Sequence, residues 1–326
     1  MDINYPAGYQ AAYQGAAYFL QKEAGYLRIA GPDQANFLQR QTTNDLNALK
    51  TERALITVLT SPAGRVLDVF YLLQEPDSIG VITLPGRSAQ TTRFLKSRIF
   101  FMDQVTLQDD SAQIAQIDLL GPGAARVIHQ HGLERTSEED KVVTMQIAGV
   151  QGRALALDAA FGLGYRLVIP TGTVAAVQDA LLKLGAEPLD TTSYQILRIE
   201  AGLPEAGSEL TEDYTPLEIG LQTAISDTKG CYTGQEVIAR QITYDKVTQH
   251  LCGLRVKIPV LPGQRIWVDR KAVGLVTSSA VSPRFGPLAL AIVKRPYHTP
   301  GTNLSIGTQG EAGVAAAVSE LPFRRT

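Results

Sequence analysis

The segment Lys229-Gly230-Cys231-Tyr232-Thr233-Gly234-Gln235-Glu236 sets one of the chain's 2 cysteines beside a lysine and just ahead of a helix-like run. Thr233 followed by Glu236, immediately before Val237 and Ile238, reads as a capping box. The threonine hydroxyl accepts from the Glu236 backbone N–H and the glutamate reaches back. Cys231 then precedes the helix, where the partial positive charge of the helix end and the Lys229 ammonium both favour a thiolate. A thiolate can serve as nucleophile, redox group or soft-metal ligand. Gly230 and Gly234 permit tight turns and close approach of a partner. The bland alternative is a small buried cysteine that only packs. Cys252, in the strand-like run Leu251-Cys252-Gly253-Leu254-Arg255-Val256, is read that way.

Other titratable groups offer less. The histidines, His129, His131, His250 and His298, are scattered, and the side chains of the H-x-H pair diverge on a helix, so no metal site is expected. Glu138-Glu139-Asp140 reads as a solvated turn. Gly121-Pro122-Gly123-Ala124-Ala125-Arg126 is half of a dinucleotide fingerprint. It lacks the third glycine and has proline where the turn needs an amide. No G-x-x-x-x-G-K-[ST] loop occurs.

The elements that must position these groups follow a repeated phrase of apolar strand, Gly or Pro turn, and amphipathic helix. Tyr26 to Ala30 leads through Gly31-Pro32 to a helix with Ala35, Phe37 and Leu38. Ile117 to Leu120 leads through Gly121-Pro122 to one with Ala125, Val127 and Ile128. Strands at 80–84 and 165–169 precede helices near 88–98 and 173–184, and 55–59 and 66–73 form a hairpin around Ser61-Pro62-Ala63-Gly64. This order predicts α+β units of split βαβ type rather than a doubly wound parallel sheet. From about 251 to 318 the Pro- and Gly-punctuated strands predict a small β barrel. The expected domains are 1–245 and 246–326.

With 326 residues, 44% hydrophobic and 19% charged, the chain fits two or three packed units. A net charge of −2 carries no footprint for bulk nucleic-acid binding. The start Met1-Asp2-Ile3-Asn4-Tyr5 does not read as a secretory signal, and no apolar run is long enough to span a membrane. Two cysteines make no disulfide framework. A cytoplasmic monomer with no nucleic-acid or membrane partner is expected.

The run K-G-C-Y-T-G-Q-E, ending a few residues before Arg240, resembles the signature of the YgfZ family, folate-binding proteins that share their fold with the aminomethyltransferase, or T protein, of the glycine cleavage system. Further stretches resemble that superfamily: Gly31-Pro32-Asp33 through Gln39 with Thr43-Asn44-Asp45, Ser61 through Asp68, Arg198-Ile199-Glu200-Ala201-Gly202-Leu203-Pro204 with Gly207-Ser208-Glu209-Leu210, and Gly274 through Ser278 with Ala289 through Val293. The resemblance covers about Leu27 to Ile306. T proteins carry a catalytic aspartate after an N-A-x-N stretch. The matching segment here is Leu84 to Thr91, no aspartate lies between Gly80 and Met102, and Thr91 is nearest the expected place. T proteins also have a K-x-F-I-G type segment where this chain has Cys231.

The resemblance implies two α+β units and a terminal barrel around a central channel that binds tetrahydrofolate or a related reduced folate. It places Glu200 on the pterin ring, Tyr194 as its stacking partner, Asn44 at the pocket wall and Arg240 among the cofactor-binding residues. Read as structure alone, Glu200 closes a helix by pairing with Arg198 or Arg240. Cys231 with Lys229 would carry the chemistry, and Gly230, Tyr232, Gly234, Gln235 and Glu236 would complete the motif. The implied role is assembly or repair of iron–sulfur clusters in client enzymes, tRNA-modifying enzymes included, with those clients or the assembly machinery as partners. One cysteine cannot hold a cluster by itself, so no resident cluster is expected. Aminomethyl transfer and a folate-binding module without chemistry are the alternatives.

Overall fold

A computed structural model describes residues 6–129, 141–157, 164–308 and 313–324, with the side chain of His129 excluded. His131, Glu138-Glu139-Asp140 and Met1 to Tyr5 lie outside the described residues. The chain divides into two units. The first joins Pro6–Asp190 to Thr223–Gln235, and the second joins Thr191–Gln222 to the described residues of Glu236–Thr326.

The first unit starts with α1 (Ala7–Gln14) and β1 (Ala16–Gln21). Then comes β2 (Gly25–Ala30), α2 (Gln34–Gln41), β3 (Leu55–Thr60), β4 (Val66–Gln74), β5 (Ser78–Thr83), α3 (Ser88–Lys96) and β6 (Thr106–Asp109). The same succession follows as β7 (Ile114–Leu120), α4 (Ala124–His129), β8 (Val142–Ile147), β9 (Val150–Leu157), β10 (Gly164–Pro170), α5 (Val174–Lys183) and β11 (Ala186–Pro188). Each succession makes one sheet, in the order β3-β4-β5-β2-β6 and β8-β9-β10-β7-β1-β11. The orders match except that β1 is wedged between β7 and β11, antiparallel to the first and parallel to the second.

The split βαβ reading therefore holds, with one more strand per repeat than the motif requires. The repeated Gly-Pro turns have a steric cause. Gly31 and Gly121 sit at φ of 113° and 103°, and a Cβ on them would lie 2.2 Å from the Gln104 carbonyl oxygen and 2.6 Å from that of Gly15.

Each helix covers its own sheet with one apolar stripe. Phe37 and Leu38 of α2 and Leu95 of α3 pack on Leu27, Ile29, Phe70 and Leu72. Val127 and Ile128 of α4, with Val177 and Leu181 of α5, pack on Ile117, Leu119 and Leu167. At roughly 1.5–3 kcal/mol for each large side chain taken out of water, these stripes drive the helices onto the sheets. A third cluster, Tyr26, Leu73 and Ile82 with Leu155 and Val168, joins the two sheets. Beside it Glu75 pairs with Arg153 at 2.7 Å and Arg28 at 2.8 Å, and Arg153 also donates to the Tyr26 hydroxyl.

The second unit holds α6 (Thr191–Ala201) and all but the first residue of α7 (Gln235–Thr243). Its strands are β12 (Gln249–Val256), β13 (Arg265–Val268), β14 (Lys271–Ser282), β15 (Gly286–Lys294), β16 (Asn303–Ile306) and β17 (Val314–Ser319). They close in the order β12-β15-β14-β13-β16-β17, the barrel expected from the sequence. Leu254, Ile266, Val276, Ala291 and Val293 fill it, with Cys252 buried among them as expected. Ile199 of α6 packs on Leu288, Leu290 and Phe323. Among the described residues no helix is long and apolar enough to cross a membrane.

Candidate functional site

The cysteine loop is stitched into the first unit by its neighbours. The Lys229 Nζ donates to the carbonyls of Gln39 at 2.8 Å, Thr42 at 2.7 Å and Asn44 at 2.6 Å, and lies 5.2 Å from the Tyr232 ring centre. An ammonium at the carboxyl end of α2 meets carbonyls that have no partner within the helix. Burial pulls Lys229 down to about 8, with Asp45 opposing. All three Nζ protons go to carbonyls, so Lys229 staples the loop to the end of α2.

Tyr232 is buried as well, and burial pushes its hydroxyl up to about 12. Thr60 Oγ1 donates to the Thr233 carbonyl at 2.6 Å, and the Thr233 N–H reaches the Arg40 carbonyl at 3.3 Å. Gly234, at φ +84°, runs so close to the β3–β4 turn that a Cβ would lie 2.5 Å from the Ser61 carbonyl oxygen. Gly230 faces open space. Cys231 is therefore an exposed thiol between two buried anchors.

The structure corrects the capping box. The Glu236 carboxylate pairs with Arg240 at 2.9 Å, one turn along α7, with both side chains largely exposed at 79% and 68%. Gly234, in the left-handed region ahead of Gln235, turns the chain into the helix in its place.

Asn44, expected at a pocket wall, is spent on its own fold. Its Nδ2 donates to the carbonyls of Ile56 at 2.8 Å and Thr223 at 3.2 Å, and its Oδ1 accepts from the Asp45 N–H at 2.9 Å.

In the second unit Glu200 is buried at 1% exposure near the end of α6. Its Oε1 accepts from the Ser282 hydroxyl at 2.5 Å, and its carbonyl accepts from the Phe323 N–H at 2.9 Å. Gly202, at φ +74°, ends α6 with its N–H on the Ile199 carbonyl. Arg198 pairs with Glu205 at 3.1 Å and Glu209 at 3.3 Å, and donates to Ser278 at 2.8 Å. A bulge between Val276 and Ser278 aims that hydroxyl at Glu209. Tyr194 is half-buried on the same helix as Glu200. Six residues at about 100° each place the two roughly 120° apart around the axis, so they share no face. A cavity of about 480 Å³ beside α6 is lined by Gln195, Arg198, Tyr214 and Thr277, with neither Tyr194 nor Glu200 on its wall. His250 and His298, scattered in sequence, stack with ring centres 4.5 Å apart.

One carboxylate that carries no role in the sequence motifs stands out in the structure. Asp68, on β4, is fully buried and accepts from the Val69 N–H at 2.8 Å, the Leu84 N–H at 2.9 Å and the Thr91 hydroxyl. Burial pushes it up to about 7, against those hydrogen bonds. Thr91 is the residue nearest the place where an aspartate was sought, so a carboxylate absent from 80–102 in sequence lies one hydrogen bond away in space. The signal was present in the strand, since Asp68 shares the inward parity of Val66, Phe70 and Leu72.

Comparison with known proteins bears on the whole chain. Residues 6–229 match the GCVT N-terminal domain and residues 249–324 the glycine cleavage T-protein C-terminal barrel domain. A chloroplastic protein of Arabidopsis thaliana, provisionally named a transferase, is 30% identical over 92% of this chain and 69% of its own. The aminomethyltransferase of Cutibacterium acnes is 30% identical over 97% of this chain and 89% of its own. Among solved structures, glycine cleavage system aminomethyltransferase T from Bartonella henselae superposes with a TM-score of 0.85 at 22% identity, covering 98% of this chain and 90% of that one. With both of its parts matched in order and the fold shared throughout, the chain belongs to the glycine cleavage T-protein family.

Proposed function

We propose that this chain is a YgfZ-type member of its family, one that binds tetrahydrofolate and assists the assembly or repair of iron–sulfur clusters in cytoplasmic client enzymes through Cys231. The observation that carries the reading is the display of that thiol. Lys229 and Tyr232, which bracket Gly230-Cys231, are sunk into the unit, whereas Cys231 is exposed. An exposed thiol can ligate iron transiently or meet an oxidised sulfur, whereas a packing cysteine is buried, as Cys252 is.

Aminomethyl transfer is the second reading. It is favoured by the names of the relatives and by the Asp68 carboxylate bonded to Thr91. The two separate in one experiment. Wild type, Cys231→Ser and Asp68→Asn are expressed at equal levels in a bacterium lacking its own YgfZ, and tRNA methylthiolation is scored. The purified proteins are assayed for methylene-tetrahydrofolate formation from an aminomethyl-lipoyl carrier. Rescue by wild type and Asp68→Asn but not Cys231→Ser supports the proposal. Carrier turnover that Asp68→Asn abolishes and Cys231→Ser retains overturns it in favour of transfer.

A further inference from the structure

We propose that the first unit carries a binding site for a phosphate group at the junction of its two repeats, formed by Lys50, Arg53 and Lys141. Residues 50–53 make a tight turn in which the Arg53 N–H donates to the Lys50 carbonyl at 3.1 Å. Lys50 is bridged to Arg53, and Arg53 in turn is bridged to Lys141, the residue just before β8. The Val142 N–H, donating to the Glu52 carbonyl at 2.8 Å, fixes that register. Bridge partners project their side chains to the same face, so the three cations stand in one row, about 5 Å apart from backbone to backbone. Together with Thr51 and Glu52 they line a cavity of about 390 Å³.

Like charges set directly opposite one another destabilise a ladder, and here the arrangement occurs twice in succession. Arg28, Arg40, Arg153 and Arg166 each sit within 2.9 Å of a carboxylate. Among the described residues none of Lys50, Arg53 and Lys141 has an ion-pair partner. Among the described residues that line the cavity, Glu52 offsets one of the three positive charges and leaves two. A multiply charged oxyanion removes the repulsion and offers acceptors to every donor in the row. The guanidinium supplies the two-pronged recognition that suits phosphate. The cavity is of the size that takes small ligands, so the phosphate would belong to a small molecule.

The test titrates inorganic pyrophosphate into the full chain by calorimetry at low ionic strength, with citrate as a carboxylate of comparable charge. Saturable pyrophosphate binding that weakens with salt is expected. Lys50→Gln, Arg53→Gln and Lys141→Gln should each weaken it about tenfold, the loss of one charged hydrogen bond, and Glu52→Gln should tighten it. Lys50 and Arg53 are exposed, and Lys50→Gln keeps the turn intact should Arg53→Gln fail to fold. Absence of saturable binding by wild type, or equal binding by wild type and the three charge-removing variants, overturns the site. Tighter binding of citrate than of pyrophosphate overturns the phosphate assignment.

Discussion

Replacing Asp68 by asparagine should stabilise the first unit at alkaline pH and leave it nearly unchanged in acid. Both backbone donors, Val69 and Leu84, use Oδ1, and the Thr91 hydroxyl uses Oδ2. Asparagine can keep all three contacts, with its Nδ2 donating to Thr91 Oγ1 where the carboxylate had accepted. Burial raises the folded Asp68 from 3.8 to about 7. A raised acid favours the proton-bound folded state, so its contribution is complete below about pH 4 and is lost as pH rises through the interval up to 7. A shift of about 3 units at 1.36 kcal/mol each makes the full loss about 4 kcal/mol.

Denaturant unfolding of wild type and Asp68→Asn from pH 4 to 9, read alongside hydrogen exchange at the Val69 and Leu84 amides, measures the difference. The two should agree within about 1 kcal/mol at pH 4 and diverge by several kcal/mol by pH 8, with the variant the more stable. Parallel curves across the window would show that Asp68 does not titrate there. A variant less stable by about 2 kcal/mol at pH 8 would show an ionised, stabilising carboxylate, and the argument from burial would fail.

Lys229→Met should cost the first unit about 2–4 kcal/mol in denaturant unfolding, since three carbonyls lose their donor. Gly234→Ala should destabilise by about 2 kcal/mol or more, through a left-handed φ and a 2.5 Å clash with the Ser61 carbonyl. Gly230→Ala, in open space, should stay within about 0.5 kcal/mol of wild type by the same assay. A maleimide at pH 8 should add one label per native chain by mass spectrometry and none to Cys231→Ser, because burial pushes Cys252 up to about 12. Arg198→Met leaves Glu209 buried without its cation and should cost about 3–5 kcal/mol, measured by thermal unfolding of the second unit.

What could be read in the sequence was local. Strand parity, the Gly-Pro turns at 31–32 and 121–122, and the helices at 88–96 and 174–183 follow from spacing that each segment carries by itself. The barrel announced itself through punctuation by Pro and Gly. The contacts between distant segments were not legible. Lys229 looked like a partner for the cysteine two residues away, but its protons go to backbone carbonyls near residue 40, which have no side-chain signature. Thr233 and Glu236 carried the letters of a capping box, yet Gly234 puts a left-handed residue at the helix entrance and the glutamate turns to Arg240. The carboxylate beside Thr91 was sought along the chain when it comes across the sheet, from a strand 23 residues earlier.

The wedged position of β1 bears on how the protein is made. Every strand of the five-stranded sheet lies between Gly25 and Asp109, so that sheet can close as soon as this stretch has left the ribosome. The six-stranded sheet cannot. Its first strand must wait about 100 residues for β7 and about 170 for β11. Pairings so far apart in sequence form slowly. Of the two repeats, the earlier should therefore be a finished platform while the later is still open, with the Ala16–Gln21 edge unpaired and in need of protection during synthesis.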